Sequence, residues 1–168
     1  MKSICLAILA SAALLFAQTV IAKPPSWDTV NNGKGRFKLL NQFDSAAVLD
    51  QETGLVWEQS PSTSTFTWSN AQKNCNQLTV GNRKGWRLPT VQELASLVDP
   101  SVSPGPTLPA GHPFSNVQSD VYWSATTLAV NTSFAWVVFF NDGFVSNVFK
   151  SGDGLVWCVR GGQGVDPQ

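Results

Sequence analysis

The ten residues Gly85-Trp86-Arg87-Leu88-Pro89-Thr90-Val91-Gln92-Glu93-Leu94 constrain the fold of this chain more than any other stretch. Pro89 holds Leu88 in extended geometry. Thr90 can cap a helix, and Glu93, three residues on, completes a capping box. The spacing therefore predicts a helix beginning at Thr90. Its apolar face is Val91, Leu94, Ala95 and Val98, at i, i+3, i+4 and i+7, and Asp99-Pro100 ends it. A stripe of that kind needs a sheet to lie on. Trp86 beside the turn is read as core. Arg87 is read as a structural residue that pairs with an acid or binds carbonyls, because its planar five-donor head suits fixing backbone in a Trp-rich interior. Trp86, Arg87, Pro89, Thr90 and Glu93 together form the expected structural anchor.

The start of the chain has secretory grammar: Lys2, a largely apolar run from Ile4 to Ile21, and a small-residue ending at Ala22. Residues 1–22 are expected to be a signal peptide, with Cys5 too far from the cleavage position to carry a lipid. The mature protein then has no membrane span, because a Pro-Pro pair follows where a stop-transfer cluster would stand. Cleavage leaves 146 of the 168 residues, enough for one domain with a real core and too few for two. Residues 23–35, rich in Pro, Asn and Gly, read as a linker, 36–162 as the single domain and 163–168 as a tail. Charged residues are only 13%, while seven Trp and ten Phe supply bulky apolar area, which excludes a disordered chain. Near-equal numbers of acidic and basic residues argue against a nucleic-acid binder, so any charged partner needs a local patch. The two cysteines of the mature chain, Cys75 and Cys158, are expected to pair in an exported protein.

Along the domain, Ala47 to Asp50 and Thr53 to Trp57 read as a hairpin around Gln-Glu-Thr-Gly. Residues 58–66 are polar and Ser/Thr-rich. Thr67 can then cap a first helix with Trp68, Ala71, Cys75 and Leu78 on one face. Residues 100–117 hold five prolines and the only histidine, His112, and read as a long irregular loop, the kind that often carries function. The remainder is β in character: Val121–Ser124, Phe134–Phe140, Phe144–Phe149 and Leu155–Arg160, with turns at Asn141-Asp142-Gly143 and Gly152-Asp153-Gly154. The expected class is α+β, two helices packed on a twisted, mainly antiparallel sheet with long irregular loops. Trp57, Trp123, Trp136 and Trp157 are assigned to its core, with room for one of them at the surface.

In order, Thr53-Gly-Leu-Val-Trp57, Trp68-Ser-Asn-Ala71, Cys75-Asn-Gln-Leu78, Trp86-Arg-Leu-Pro-Thr90 with Glu93-Leu94, Tyr122-Trp-Ser124 and Cys158-Val-Arg160 resemble one bacterial domain family. It is typified by the C-terminal region of the Legionella collagen-like adhesin, and the resemblance runs from about Arg36 to Gly161. It implies a variant of the C-type-lectin-like fold shared with the formylglycine-generating enzyme, and it implies binding of sulfated polysaccharide and trimer formation. The chain has no collagen-like Gly-X-Y region, so a stalk and a trimer depending on it are not implied. It also lacks the Glu-Pro-Asn and Gln-Pro-Asp tripeptides of calcium-dependent lectins, so calcium-dependent sugar binding is not implied either. The related oxidase uses two nearby cysteines late in its chain; here Cys158 stands alone.

For catalysis the residues offer little. A Cys75–His112 pair would compete with Cys158 for the same thiol, and nothing selects a carboxylate pair from Asp50, Glu52, Asp120 and Asp142. Asn141-Asp142-Gly143 could hold calcium, but Asp-Gly between apolar strands is foremost a hairpin signal. The sequon Asn131-Thr132-Ser133 needs no more than a surface loop. The expectation is no catalytic residues, no metal and no cofactor. The ligand candidates are basic: Lys34, Arg36 and Lys38 near the start of the domain, and Arg83-Lys84 on the turn before Trp86. The expected function is a non-catalytic extracytoplasmic module, periplasmic or extracellular, for polyanionic polysaccharide. The alternative is a protein-interaction or assembly domain of a cell-surface system.

Overall fold

The structure, a computed structural model, describes residues 35–161. The expected signal peptide, the linker apart from Gly35, and the tail lie outside the described residues. Ten strands and two helices follow in the order β1 (Phe37–Leu39), β2 (Ala47–Asp50), β3 (Val56–Glu58), β4 (Ser62–Phe66), α1 (Trp68–Gln77), β5 (Trp86–Arg87), α2 (Val91–Ala95), β6 (Val121–Thr127), β7 (Phe134–Phe139), β8 (Val145–Phe149), β9 (Gly154–Val156) and β10 (Val159–Arg160). The class is α+β as expected, but the strands form two five-stranded sheets where the sequence suggested one. The first has the order β1-β2-β3-β10-β5 and the second β4-β9-β6-β7-β8. All pairings are antiparallel except β6 with β9.

The cause of the split lies at the end of the domain. Leu155–Arg160 reads as one strand, yet β9 pairs in the second sheet and β10 in the first, with Trp157-Cys158 as the joint. Side chains of this segment alternate between two cores, as a period of two requires. Leu155, Trp157 and Val159 enter a cluster with Trp57, Tyr122, Phe140, Leu94, Leu97, Leu108 and Phe114. Val156 and Cys158 enter the other, with Trp86, Trp123, Ala71 and Cys75. Cys75 and Cys158 are joined in a disulfide, which ties α1 to that joint. Trp157 meets Trp57, Phe114, Tyr122 and Phe140 within 6 Å, mostly at steep ring angles, so the first core is built around this one indole.

Residues 58–66 contain a strand, β4, whose exposed Ser/Thr side chains hid it from a hydrophobic reading. Helix α2 is shorter than its apolar spacing predicts. After Ala95 the bonds from Leu97 to Leu94 and from Val98 to Ala95 are of the i→i−3 kind, and the Ser96 hydroxyl donates to the Glu93 carbonyl at 2.7 Å. A 3₁₀ turn stacks i on i+3, so Leu97 follows Leu94 into the core and Val98 stays half-buried. The Pro-rich loop contributes to the core: Leu108 and Phe114 are buried in the first core, and the Gln59 amide donates to the Pro113 carbonyl at 2.8 Å.

Candidate functional site

Directly opposed residues of paired strands project from the same sheet face. In the first sheet Lys38 opposes Leu49, Leu49 opposes Val56, Val56 opposes Arg160, and Arg160 opposes Trp86. One row therefore crosses all five strands, with cations at β1 and β10 and two half-buried aliphatic side chains between them. At about 4.8 Å per strand step, Lys38 and Arg160 are anchored roughly 14 Å apart. Lys84 adjoins the β10 end, because Arg160 Nε donates to the Lys84 carbonyl at 2.8 Å. Lys38 and Lys84 are exposed, Arg160 is half-buried, and none of the three has a carboxylate within ion-pair distance among the described residues. Arg160 belongs to a sequence motif but not to any charge cluster, so only strand register reveals it as a partner for Lys38.

The remaining basic candidates have other engagements. Arg83, grouped with Lys84 in the sequence, is a clamp: Nη1 donates to the carbonyls of Gln42 and Gly81, and its guanidinium lies 4.3 Å from the Phe43 ring centroid. Gly81 there has φ +53°, and a Cβ on it would lie 2.3 Å from the Phe43 Cα, so the turn is closed on Phe43 by shape as well as by Arg83. Arg36 is a correction. It is buried against the equally buried Asp50, with Nη2 at 2.7 Å from Oδ2 and Nε at 3.0 Å from Oδ1, and it also reaches Glu52 and the Ser96 carbonyl. A guanidinium bonded in this way crosslinks β2 to the end of α2 and is withdrawn from any soluble polyanion. Lys34 lies outside the described residues.

The anchor stretch forms a polar knot over the edge of the first sheet. Thr90 Oγ1 accepts from the Glu93 N–H and Glu93 accepts from the Thr90 N–H, closing the capping box. The same carboxylate receives Arg87 in two bonds of 2.7 and 2.8 Å, and Arg87 also donates to the carbonyls of Leu88 and Gly161. Burial pushes Glu93 upward, but these donors and the Arg87 charge outweigh it and hold the carboxyl below its ordinary value. Trp86 and Pro89 are buried behind the knot, and the Trp86 indole donates to the Arg83 carbonyl at 3.0 Å.

The carboxylates weighed for catalysis are engaged elsewhere, Glu52 sharing the Arg36 guanidinium with Asp50. Asp50 is bound to Arg36, and Asp120 and Asp142 each accept a backbone N–H nearby, the latter fixing the β7–β8 turn. Gly143 in that turn has φ +80° and packs so close to Val98 that a Cβ would meet its Cγ1 at 2.6 Å. His112 accepts the Phe114 N–H at 3.2 Å and stacks on its ring; burial lowers its pKa, which favours the neutral form. Among the described residues no group of three or more His, Cys, Asp or Glu is placed to hold a metal ion. The unusual carboxyl is Glu58, which the sequence reading passed over. It is buried and accepts the Cys158 N–H at 2.7 Å, and burial raises its pKa to about 7 against the lowering effect of that bond.

No helix among the described residues is long and apolar enough to cross a membrane. A search of curated proteins finds no match to the chain. Comparison with protein families, in contrast, matches the Lcl C-terminal domain over residues 46–160, from β2 to the last residue of β10 and including the disulfide. That span holds the hairpin, both helices and the two-sheet joint, so the chain belongs to the Lcl C-terminal domain family and is an adhesin-like module of an exported or extracellular protein.

Proposed function

We propose that this domain is a non-catalytic binding module for polyanionic, sulfated polysaccharide. The observation that carries the reading is the row across the first sheet, in which Lys38 and Arg160 share a face, Lys84 stands beside Arg160, and no carboxylate neutralises any of them among the described residues. A linear chain bearing repeated anionic groups can lie along such a row, its charges meeting the two cationic ends and its sugar rings passing over only the exposed parts of Leu49 and Val56, which otherwise pack against the second core. Arg160 is the best-oriented donor of the row, because its Nε bond fixes the guanidinium plane and leaves the two terminal nitrogens for a sulfate.

Binding of heparin to immobilised protein tests this. Exposed charges are screened over about 8 Å at physiological ionic strength, so affinity falls steeply as salt rises. Lys38→Glu with Lys84→Glu weakens it by about tenfold, given about 0.2–1 kcal/mol for each exposed pair and added repulsion on reversal. The melting temperature stays close to that of the parent, since both side chains are exposed. Undiminished binding by the double variant, or no heparin binding by the parent at low salt, overturns the proposal.

A further inference from the structure

The second sheet carries a surface that the polyanion reading does not use. On the β7–β8 hairpin, Phe134 opposes Phe149, Trp136 opposes Asn147 and Val138 opposes Val145, so all six project from one face. Val138 enters the first core, but Phe134, Trp136, Val145 and Phe149 pack against neither core cluster. Phe149 is 58% exposed, and its ring centroid lies 3.9 Å from that of Phe134. Beside this aromatic pair, the Trp136 indole N–H and the Asn147 amide have no hydrogen-bond partner among the described residues and remain open to solvent. β8 is the edge strand of its sheet, so nothing in the sheet flanks the strip on that side.

We propose that this strip is a second ligand site, for a neutral pyranose chain. Aromatic faces attract the slightly positive C–H surface of a sugar ring, and an indole N–H and an amide at the centre supply the donors and acceptor that its hydroxyls need. The charge pattern selects the occupant. None of the six side chains of the strip is ionisable, and the nearest cation in sequence, Lys150, has its ammonium held by the Thr127 hydroxyl at 2.8 Å and lies over the Trp68 ring at 3.8 Å. A sulfated chain would find no counter-charge here. A protein partner would have to bury the Asn147 amide and the Trp136 N–H in the middle of an apolar contact, where each needs a matched bond. A glycan offers such a bond at every ring.

The experiment is a calorimetric titration of the protein and each variant with cellohexaose, laminarihexaose and mannohexaose, joined by the indole N–H resonance of Trp136 wherever that residue is retained. One of the three is expected to move that resonance, with an affinity unchanged between about 0.05 and 0.5 M NaCl, since no charge is involved. Phe149→Ser and Trp136→Ala are expected to weaken it by about tenfold or more, the effect of about 1.4 kcal/mol. Trp136→Phe, which keeps the ring and removes the donor, falls between, and Lys38→Glu with Lys84→Glu leaves this binding intact. Failure of heparin binding would therefore not touch this site. No response to any of the three sugars at millimolar concentration overturns the proposal. So does a Phe149→Ser variant that converts an oligomer to a monomer in sedimentation while the sugars stay silent, which would assign the strip to protein contact.

Discussion

At the scale of single residues, Glu58 is the group whose position is hardest to reconcile with its chemistry. Its carboxyl lies at the joint of the two sheets, bonded to the Cys158 N–H, while its own N–H donates to the Cys158 carbonyl and its carbonyl accepts from the Trp157 indole. Burial raises its pKa from the ordinary 4.5 to about 7. An acid with a raised folded-state pKa contributes its stability fully below 4.5, loses it as pH rises, and has lost it above about 7, where the buried group must ionise. Denaturant unfolding should show the protein losing up to about 3 kcal/mol from this group between those limits. Glu58→Gln retains an acceptor for Cys158 and is expected to remove this slope, so that its advantage over the parent grows from pH 5 to pH 8. Parallel pH profiles for the two would show that the carboxylate is not felt by the fold. Nothing in the sequence marks Glu58, since a glutamate at the end of a hairpin strand has an ordinary place in solvent; only the return of the chain a hundred residues later buries it. Arg83 and Lys84 make the complementary case, adjacent and alike in sequence, one closed over Phe43 and the other exposed.

At the scale of elements, legibility followed the range of the interactions involved. The capping box at Thr90 and the hairpin of β2 and β3 were readable because their causes lie within a few residues of each other. The length of α2 was not: at Leu97 and Val98 the backbone bonds become i→i−3 and the Ser96 hydroxyl donates to the Glu93 carbonyl, a local change that apolar spacing does not carry. β4 was missed for a related reason: its exposed Ser/Thr side chains show no alternation to read, and its place in the sheet is fixed by β9. Because the Thr90 side chain supports the same glutamate that receives Arg87, its removal should loosen more than a helix end. Thr90→Ala is expected to cost about 1 kcal/mol, the usual worth of a cap, and Trp86→Ala about 3–5 kcal/mol through loss of a buried indole. Urea unfolding measures both. If the Trp86 variant proved as stable as the parent and lost only ligand binding, the stretch would be a site and not an anchor.

At the scale of the whole molecule, the candidate site and the stability of the domain depend on one crossing. Segment Leu155–Arg160 leaves the second sheet, passes the disulfide and enters the first, placing Arg160 in line with Lys38. Two of the five basic candidates read from sequence, Lys38 and Lys84, thus acquire a partner that charge clustering could not suggest, because register is a property of the assembled sheet. The bond between Cys75 and Cys158 spans 83 residues and encloses the last residues of α1, the anchor, the Pro-rich loop, the β6–β8 meander and β9. By the chain-entropy estimate a loop of that size is worth about 4–5 kcal/mol, with about 2–4 kcal/mol typical of measurement. Both sulfurs lie in the second core beside Trp86 and Trp123, so a Cys75→Ala, Cys158→Ala protein keeps its apolar contacts there and is expected to fold with reduced stability. The loss should appear at the joint before it appears elsewhere, as faster amide exchange in β9 and β10 than in β2 and β3, since β10 is held by two short pairings and the crosslink. Heparin affinity should fall with it, because a β10 that frays takes Arg160 out of the row. A reduced protein with unchanged exchange in β10 and full heparin affinity would separate the crosslink from the site.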